Sequence, residues 1–374
     1  MLREVGRIVL RVLPVLLLVS IGTALLVQLV PGDPAVAVVG PEGTPEQYAA
    51  VRDQLGLDRP LYLRYVEWLG GFLQGDLGKT FVAPVQDVGS LIASRLPVTL
   101  EIAVLATALA LAIAIPVGTW SAYRFGRGFD RAASGVAFGL ISVPSFLLAL
   151  VLIFFVVFRP DAVKGALIGL VALGTMFLAL GTVGVKGERL TPDDKRRRLI
   201  AAGAVLVVGV GLVLVMPDFP RQGFARIETA GLADNLRSVF LPVLTLALAE
   251  AAQLTRVLRN DMATTLGEDF VLAARAKGMP VRHILVKEAL RPSSFSLVTV
   301  AGISFGRLLG GTVVVETIFR LPGMGTLIVE SVAKKEFLVL QSGVLLIATL
   351  YVVVNALVDL SYLFLDPRTR HARV

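Results

Sequence analysis

The chain has 374 residues, 55% of them hydrophobic and only 17% charged, with a mean hydropathy of +0.79. A soluble domain carries about 25% charged residues, so this balance argues against a soluble globular enzyme and for a membrane protein. The chain has no cysteine and only two histidines, His283 and His371, which excludes thiolate chemistry and argues against a His-rich metal centre. In such a chain the net charge of +8 reads as Lys and Arg held at cytoplasmic helix ends, not as a nucleic-acid surface.

A helix needs about 20 mostly apolar residues to cross the hydrocarbon core. Residues 12–30 are uncharged and follow Arg3, Arg7 and Arg11. The run is long for a signal peptide and lacks a small-x-small cleavage site before Pro31, so it reads as a retained first span. Residues 31–95 then form an extracytoplasmic loop, with eight acidic against five basic residues. Within it, QGDLGKTF (Gln74 to Phe81) ends as a phosphate loop does. That loop needs a glycine five positions before Gly78, where Leu73 stands. Gly75 and Gly78 are therefore read as turn residues.

Further spans are expected at 102–123, 132–158, 165–185, 199–216, 239–255, 293–315 and 339–365. The last three are interrupted by Glu250, Arg307 and Asp359. The fold expected is all-α, a polytopic membrane protein of about eight transmembrane helices. With the N-terminus inside, segments 124–131, 186–198, 256–291 and the tail from Arg368 are all cytoplasmic. All are rich in Lys or Arg, with six in 186–198 alone, as the positive-inside rule requires. Both termini are thus expected in the cytoplasm.

The segment from Thr265 to Pro292, TLGEDFVLAARAKGMPVRHILVKEALRP, is the most informative. Thr265 and Glu268 have capping-box spacing. A short helix is expected from Asp269, through Phe270, Val271, Ala273, Ala274 and Ala276 and including Arg275 and Lys277, with Gly278 as its left-handed exit. Small alanines on a basic, exposed helix suit a groove on another protein, and an ordinary amphipathic connector fits equally well.

AARAKG followed by HILVKEALRP, including His283, resembles the EAA-type loop of ABC importer permeases, specifically the oligopeptide, dipeptide and nickel family. Other stretches of that family occur in order: PGDP from Pro31, LGLDRPLYLRYVEWL from Leu55, GDLG from Gly75, and RLPVTLE from Arg95. After the loop come GGTVVVETIF from Gly310, PGMG from Pro322 and DLSYLFLDPRTR from Asp359. The resemblance covers most of the chain except about 160–234. It implies a first helix at 1–30, the external loop at 31–95, and a six-helix permease core at 96–366. That core carries an inserted two-helix hairpin at about 160–234 and a cytoplasmic coupling loop at 256–292. Leu272 stands where the triplet's glutamate is usual, Ser296 where a proline is common, and Arg307 where an uncharged residue is expected.

By the same resemblance, the chain is half of the pathway of an ATP-driven importer of peptides or similar small solutes, in a bacterial or archaeal cell membrane. The implied partners are a second permease, two cytoplasmic ATPases that bind ATP and Mg, and an extracytoplasmic binding protein or lipoprotein, besides membrane lipid. The chain itself is expected to hold no cofactor, to catalyse nothing and to bind no nucleic acid. Coupling is expected through 269–278. A secondary transporter predicts inverted repeats, which are not visible. A channel or assembly subunit without ATP coupling is a further alternative. An intramembrane enzyme would need a Ser/His/Asp set, zinc-ligand spacing or paired carboxylates, none of which is placed here.

Within the membrane, Gly302, Gly306 and Gly310 have small-xxx-small spacing, which lets two helices approach closely, in this chain or across to a partner. Pro116 and Pro144 are expected kinks. Arg307 lies fifteen residues beyond Pro292, roughly 22 Å along a helix. Two readings stay open for it: contact with a substrate carboxylate in the pathway, or pairing with an acid such as Glu250. Glu101 and Asp359 are expected near span ends.

Overall fold

The computed structural model describes residues 2–29, 33–180, 192–214 and 217–365. The loop residues 186–191, Pro31 and Gly32, the tail from Arg368 and the side chain of Asp359, all named above, lie outside the described residues.

The elements in chain order are helices. They are α1 (Leu2–Leu29), α2 (Pro34–Val39), α3 (Pro45–Gln54), α4 (Leu61–Gln74), α5 (Val88–Tyr123), α6 (Gly128–Ser142) and α7 (Ser145–Leu152). A π turn (Ile153–Phe158) leads to α8 (Pro160–Leu180), α9 (Pro192–Leu214) and α10 (Ile227–Thr265), followed by α11 (Asp269–Ala276) and α12 (Val281–His283). A second π turn (Ile284–Ala289) precedes α13 (Leu290–Gly311), α14 (Val313–Phe319), α15 (Met324–Lys334) and α16 (Phe337–Leu365). Among the described residues there is no strand, only an isolated bridge between Lys79 and Asp87.

Local chemistry explains the boundaries. Pro34 and Pro45 open α2 and α3 behind Asp33 and Thr44, and Thr44 with Gln47 completes a capping box. Asp87 caps α5 by accepting from the Ser90 N–H at 2.7 Å. Gly75, at φ +84, closes α4.

Among the described residues, four helices are long and apolar enough to cross a membrane: Val88–Tyr123, Ile227–Thr265, Val281–Gly311 and Phe337–Val358. Gly128–Ser142 with Ser145–Phe158 makes a fifth if the two are counted as one broken span. The chain is thus an all-α polytopic membrane protein. The expected continuous run 132–158 is broken because Pro144 forces Val143 into extended backbone (φ −88, ψ 122). The run expected at 293–315 starts earlier and stops at Gly311. Glu101 lies in the interior of α5, which begins thirteen residues before it.

The chain divides into two compact units, Met1–Phe146 with Pro242–Val374, and Leu147–Leu241. In the smaller unit, α8 packs on α9, and Gly209 leaves room for Val171. In the larger unit, α16 packs on α1, α13 and α15, and α5 on α13 and α15. Gly302 and Gly306 seat α16, because a Cβ on Gly302 would strike Val358 and one on Gly306 would lie 3.0 Å from Tyr351. Gly310 is looser, 4.0 Å from Ile347. The glycine repeat therefore packs within this chain. On α5, Ala103, Ala106, Ala110 and Ala114 are fully buried, and a Cβ on Gly118 would lie 3.2 Å from Leu258 of α10.

Candidate functional site

The loop singled out in the sequence is a short helix held at both ends. At its C-terminus the Gly278 N–H donates to Arg275 O (2.9 Å) and the Met279 N–H to Ala274 O (3.2 Å), a Schellman exit, with Gly278 at φ +73. Gly278 therefore does what its position in the sequence predicts. The capping box does not form. Glu268 is itself the cap residue and makes no side-chain cap bond, because Thr265 turns its hydroxyl to Asp261 O and to Ser293 Oγ (3.0 Å). That last contact joins the end of α10 to the start of α13 and closes the loop at its base.

α11 packs on the π turn Ile284–Ala289. Val271 and Ala274, one turn apart, face inward, whereas Phe270 and Leu272 are about half exposed at 47% and 50%. Asp269, Ala273, Arg275, Ala276, Lys277 and Gly278 are also exposed. Ala274 is thus small because this chain packs against it, and the outward small residues are Ala273 and Ala276. His283 lies 3.5 Å from Glu288 beneath the loop.

Arg307 and Glu250, two of the charges that interrupt the apolar runs, are paired. Arg307 Nη2 donates to Glu250 Oε1 at 3.0 Å and to Gln253 Oε1 at 3.0 Å, joining α13 to α10. Towards α11, Arg259 Nη2 donates to Asp130 Oδ2 (2.7 Å), Asp130 accepts from the Gly126 N–H (2.8 Å), and Phe125 lies under the guanidinium.

Two buried carboxylates were not legible as sites. Glu316 is fully buried: its Oε1 accepts from Thr99 Oγ1 (2.7 Å) and Thr312 Oγ1 (2.9 Å), and its Oε2 from the Thr326 N–H (3.1 Å). Thr99 in turn accepts from the Met324 N–H (2.8 Å). A Cβ on Gly323 would collide with this carboxylate, and one on Gly325 would lie 2.8 Å from it. Three separate stretches, RLPVTLE, GGTVVVETIF and PGMG, therefore meet at one carboxylate. Glu336, also buried, accepts from the Phe81 N–H (2.7 Å) and the Val82 N–H (2.6 Å), while Trp68 Nε1 donates to Ser342 Oγ (3.1 Å). These contacts fix the 33–87 layer to the start of α16. For Glu316 the available signal was a lone Glu inside an apolar run, followed by two glycines.

QGDLGKTF forms no phosphate cradle. Gly78 turns at φ +79, the Thr80 N–H goes to Gln86 O, and no helix starts between Lys79 and Val88, so no helix N-terminus stands behind Lys79.

Comparison with known proteins decides the family. The profile of the binding-protein-dependent transport system inner membrane component matches residues 114–371, and the profile of the N-terminal part of such components matches 1–103. The chain belongs to this family. It is similar to the dipeptide transport system permease protein of Escherichia coli K12, at 31% identity over 369 residues and 97% of each chain. A Brucella abortus protein described as a peptide transport system permease is 33% identical over 359 residues, 96% of each chain. A Sinorhizobium fredii protein described as a peptide ABC transporter permease is 30% identical over 357 residues, again 96% of each.

The protein is thus the inner-membrane permease component of a binding-protein-dependent importer, not a catalytic subunit. Of the permease residues named from sequence, the structure brings Arg307 and Glu250 together and gathers Asp269 to Gly278 on one short helix. His283 sits on the adjoining α12, and the glycines of α13 lie apart from both groups, against α16.

Proposed function

We propose that this permease forms half of the translocation pathway of an ATP-driven peptide importer and couples to its ATPases through α11. The observation that carries the reading is the way α11 is presented. Val271 and Ala274 anchor it inward, Gly278 fixes its exit, and Asp269, Phe270, Ala273, Arg275, Ala276 and Lys277 are left on the surface. Such a rigid, small-residue ridge suits a complementary groove on a partner protein.

The orientation proposed is eight spans with both termini in the cytoplasm, the hairpin 160–234 being an insertion in a six-span core. α13 has 22 residues, about 33 Å of helix, which matches the hydrocarbon thickness of ~30 Å. The basic α11 loop lies at one end of it and the Glu316 cradle just beyond the other, which favours opposite sides for α11 and the acidic 33–87 layer. In this reading a second permease, of this or another sequence, completes the pathway. Two ATPases carrying ATP and Mg sit below, and a binding protein or lipoprotein delivers the solute. Peptides are proposed because two of the relatives are named for peptide transport and one for dipeptide transport.

The test is Ala273→Trp, which adds bulk to the outward face of α11. The variant is expected to insert normally yet lose ATPase co-purification, or keep it and lose stimulation by loaded binding protein. Wild-type assembly with wild-type stimulation would remove the docking role from α11. Thr191→Cys tests the orientation: labelling by an impermeant external reagent in intact cells would overturn the eight-span arrangement.

A further inference from the structure

Arg307 uses only one corner of its guanidinium inside this chain. All its acceptors, both Glu250 oxygens, Gln253 Oε1 and Ser304 Oγ, are reached by Nη2, at 3.0 to 3.3 Å. A guanidinium carries five N–H donors in a fixed plane. Nη1 and Nε have no acceptor among the described residues. The exposure is equally lopsided: the Arg307 side chain is 56% exposed and that of Glu250 only 10%.

The position of this free edge matters. The glycine face of α13 is closed by α16, while Ile303 and Arg307 stand on the open side of a helix long and apolar enough to span a membrane. Turning such an edge to lipid is costly. It therefore meets water or an acceptor from outside the chain. The planar pair of donors matches the two oxygens of a carboxylate. Behind it, the charge of Glu250 already offsets that of the guanidinium. A carboxylate held there is held weakly, as a site along a pathway requires, since the solute must also leave.

We infer that the free edge of Arg307 is a transient binding site for the carboxylate of the transported solute, with Glu250 as the positioning residue that holds the guanidinium and limits its grip. The inference rests on the proposed peptide-import function and adds to it the group that is read. Arg307 selects solutes with a free C-terminal carboxylate, after their release from the binding protein.

The experiment uses the complete transporter, with its binding protein and ATPases, in proteoliposomes. Dialanine and its C-terminal amide are each supplied on saturated binding protein, and the ratio of their uptake is measured. Arg307→Gln is expected to lower that ratio roughly tenfold, the worth of one charge-assisted hydrogen-bonded pair. Arg307→Lys, which keeps the charge without the fork, gives an intermediate fall. Glu250→Gln, which removes the offsetting charge, slows uptake of dialanine and not of the amide.

A merely structural role moves both peptides together, and that result in Arg307→Gln overturns the inference. If Arg307→Gln fails to assemble, a wild-type ratio in Arg307→Lys overturns it as well. A ratio that changes when anionic lipids are replaced by neutral ones assigns the free edge to a lipid headgroup instead. Failure of the wild-type complex to import either peptide, with ATPase stimulation intact, is a different result: it removes the peptide reading and this inference with it.

Discussion

Glu316→Gln isolates the contribution of the buried carboxylate, because the two side chains have nearly the same shape. Thr99 Oγ1 is committed as an acceptor to the Met324 N–H, so its own hydrogen goes to Glu316 Oε1, where Thr312 also donates. Oε2 takes the Thr326 N–H. A glutamine that keeps its oxygen on the two threonines points its NH2 at the Thr326 N–H, donor against donor. In the flipped amide two hydroxyl donors lose their acceptor instead. At least one buried donor is therefore stranded, which costs about 1–3 kcal/mol. If that cost falls on the docking of α15, the open population rises by about 5- to 150-fold. Ser331→Cys is a suitable reporter, since Ser331 lies on α15, is only 2% exposed and would be the one thiol in a chain that has no cysteine. Labelling of that thiol in detergent follows the open population when closing is fast. It should accelerate by this factor in the Glu316→Gln background, and an unchanged rate would refute the claim that this carboxylate pins α15.

Three further outcomes follow from the same geometry. Gly325→Ala places a Cβ 2.5 Å from Val313 Cα and should destabilise by about 1–3 kcal/mol in detergent melting, whereas Gly311→Ala, with nothing within 4 Å, should not. Glu336→Ala strands the Phe81 and Val82 N–H groups, so limited proteolysis between Gly75 and Gln86 should speed up; an equally resistant loop would count against the anchor. At Asp33, burial raises the carboxyl pKa, but bonds from Arg52 and the Ala35 N–H outweigh it and hold it below the usual carboxylate value. The stabilisation it gives is present above about pH 4 and lost as the pH falls through the depressed value, so amide exchange in α2 should rise there and Asp33→Asn should abolish the dependence.

What the sequence disclosed was mostly local. Gly278 was legible because a left-handed helix exit is a property of a few consecutive residues, and the apolar runs because hydropathy needs no partner. The capping box failed for the opposite reason. Thr265 had a competing acceptor one turn back and a second hydroxyl, Ser293, 28 residues on. Ala274 looked like part of an outward ridge until packing placed it on the inner face. Glu316 stood inside one of the family stretches with no role and Glu336 stood in none, since their donors lie as far away as 217 and 255 residues. Arg307 was conspicuous as a charge in an apolar run. Which corner of its guanidinium is engaged depends on a helix 57 residues away.

The anchors of the 33–87 layer also impose an order on synthesis. Phe81, Val82 and Trp68 are made early, while Glu336 and Ser342, which hold them, follow 255, 254 and 274 residues later. At 5–20 residues per second that gap is about 13–50 s. For this interval the layer has its capped helices but none of these anchors, and its backbone donors at Phe81 and Val82 depend on water or on whatever else binds them. Closure of the layer then coincides with arrival of the last span, so a chain stopped before α16 stays open to proteases at the Phe81 turn, whereas a finished one is sealed.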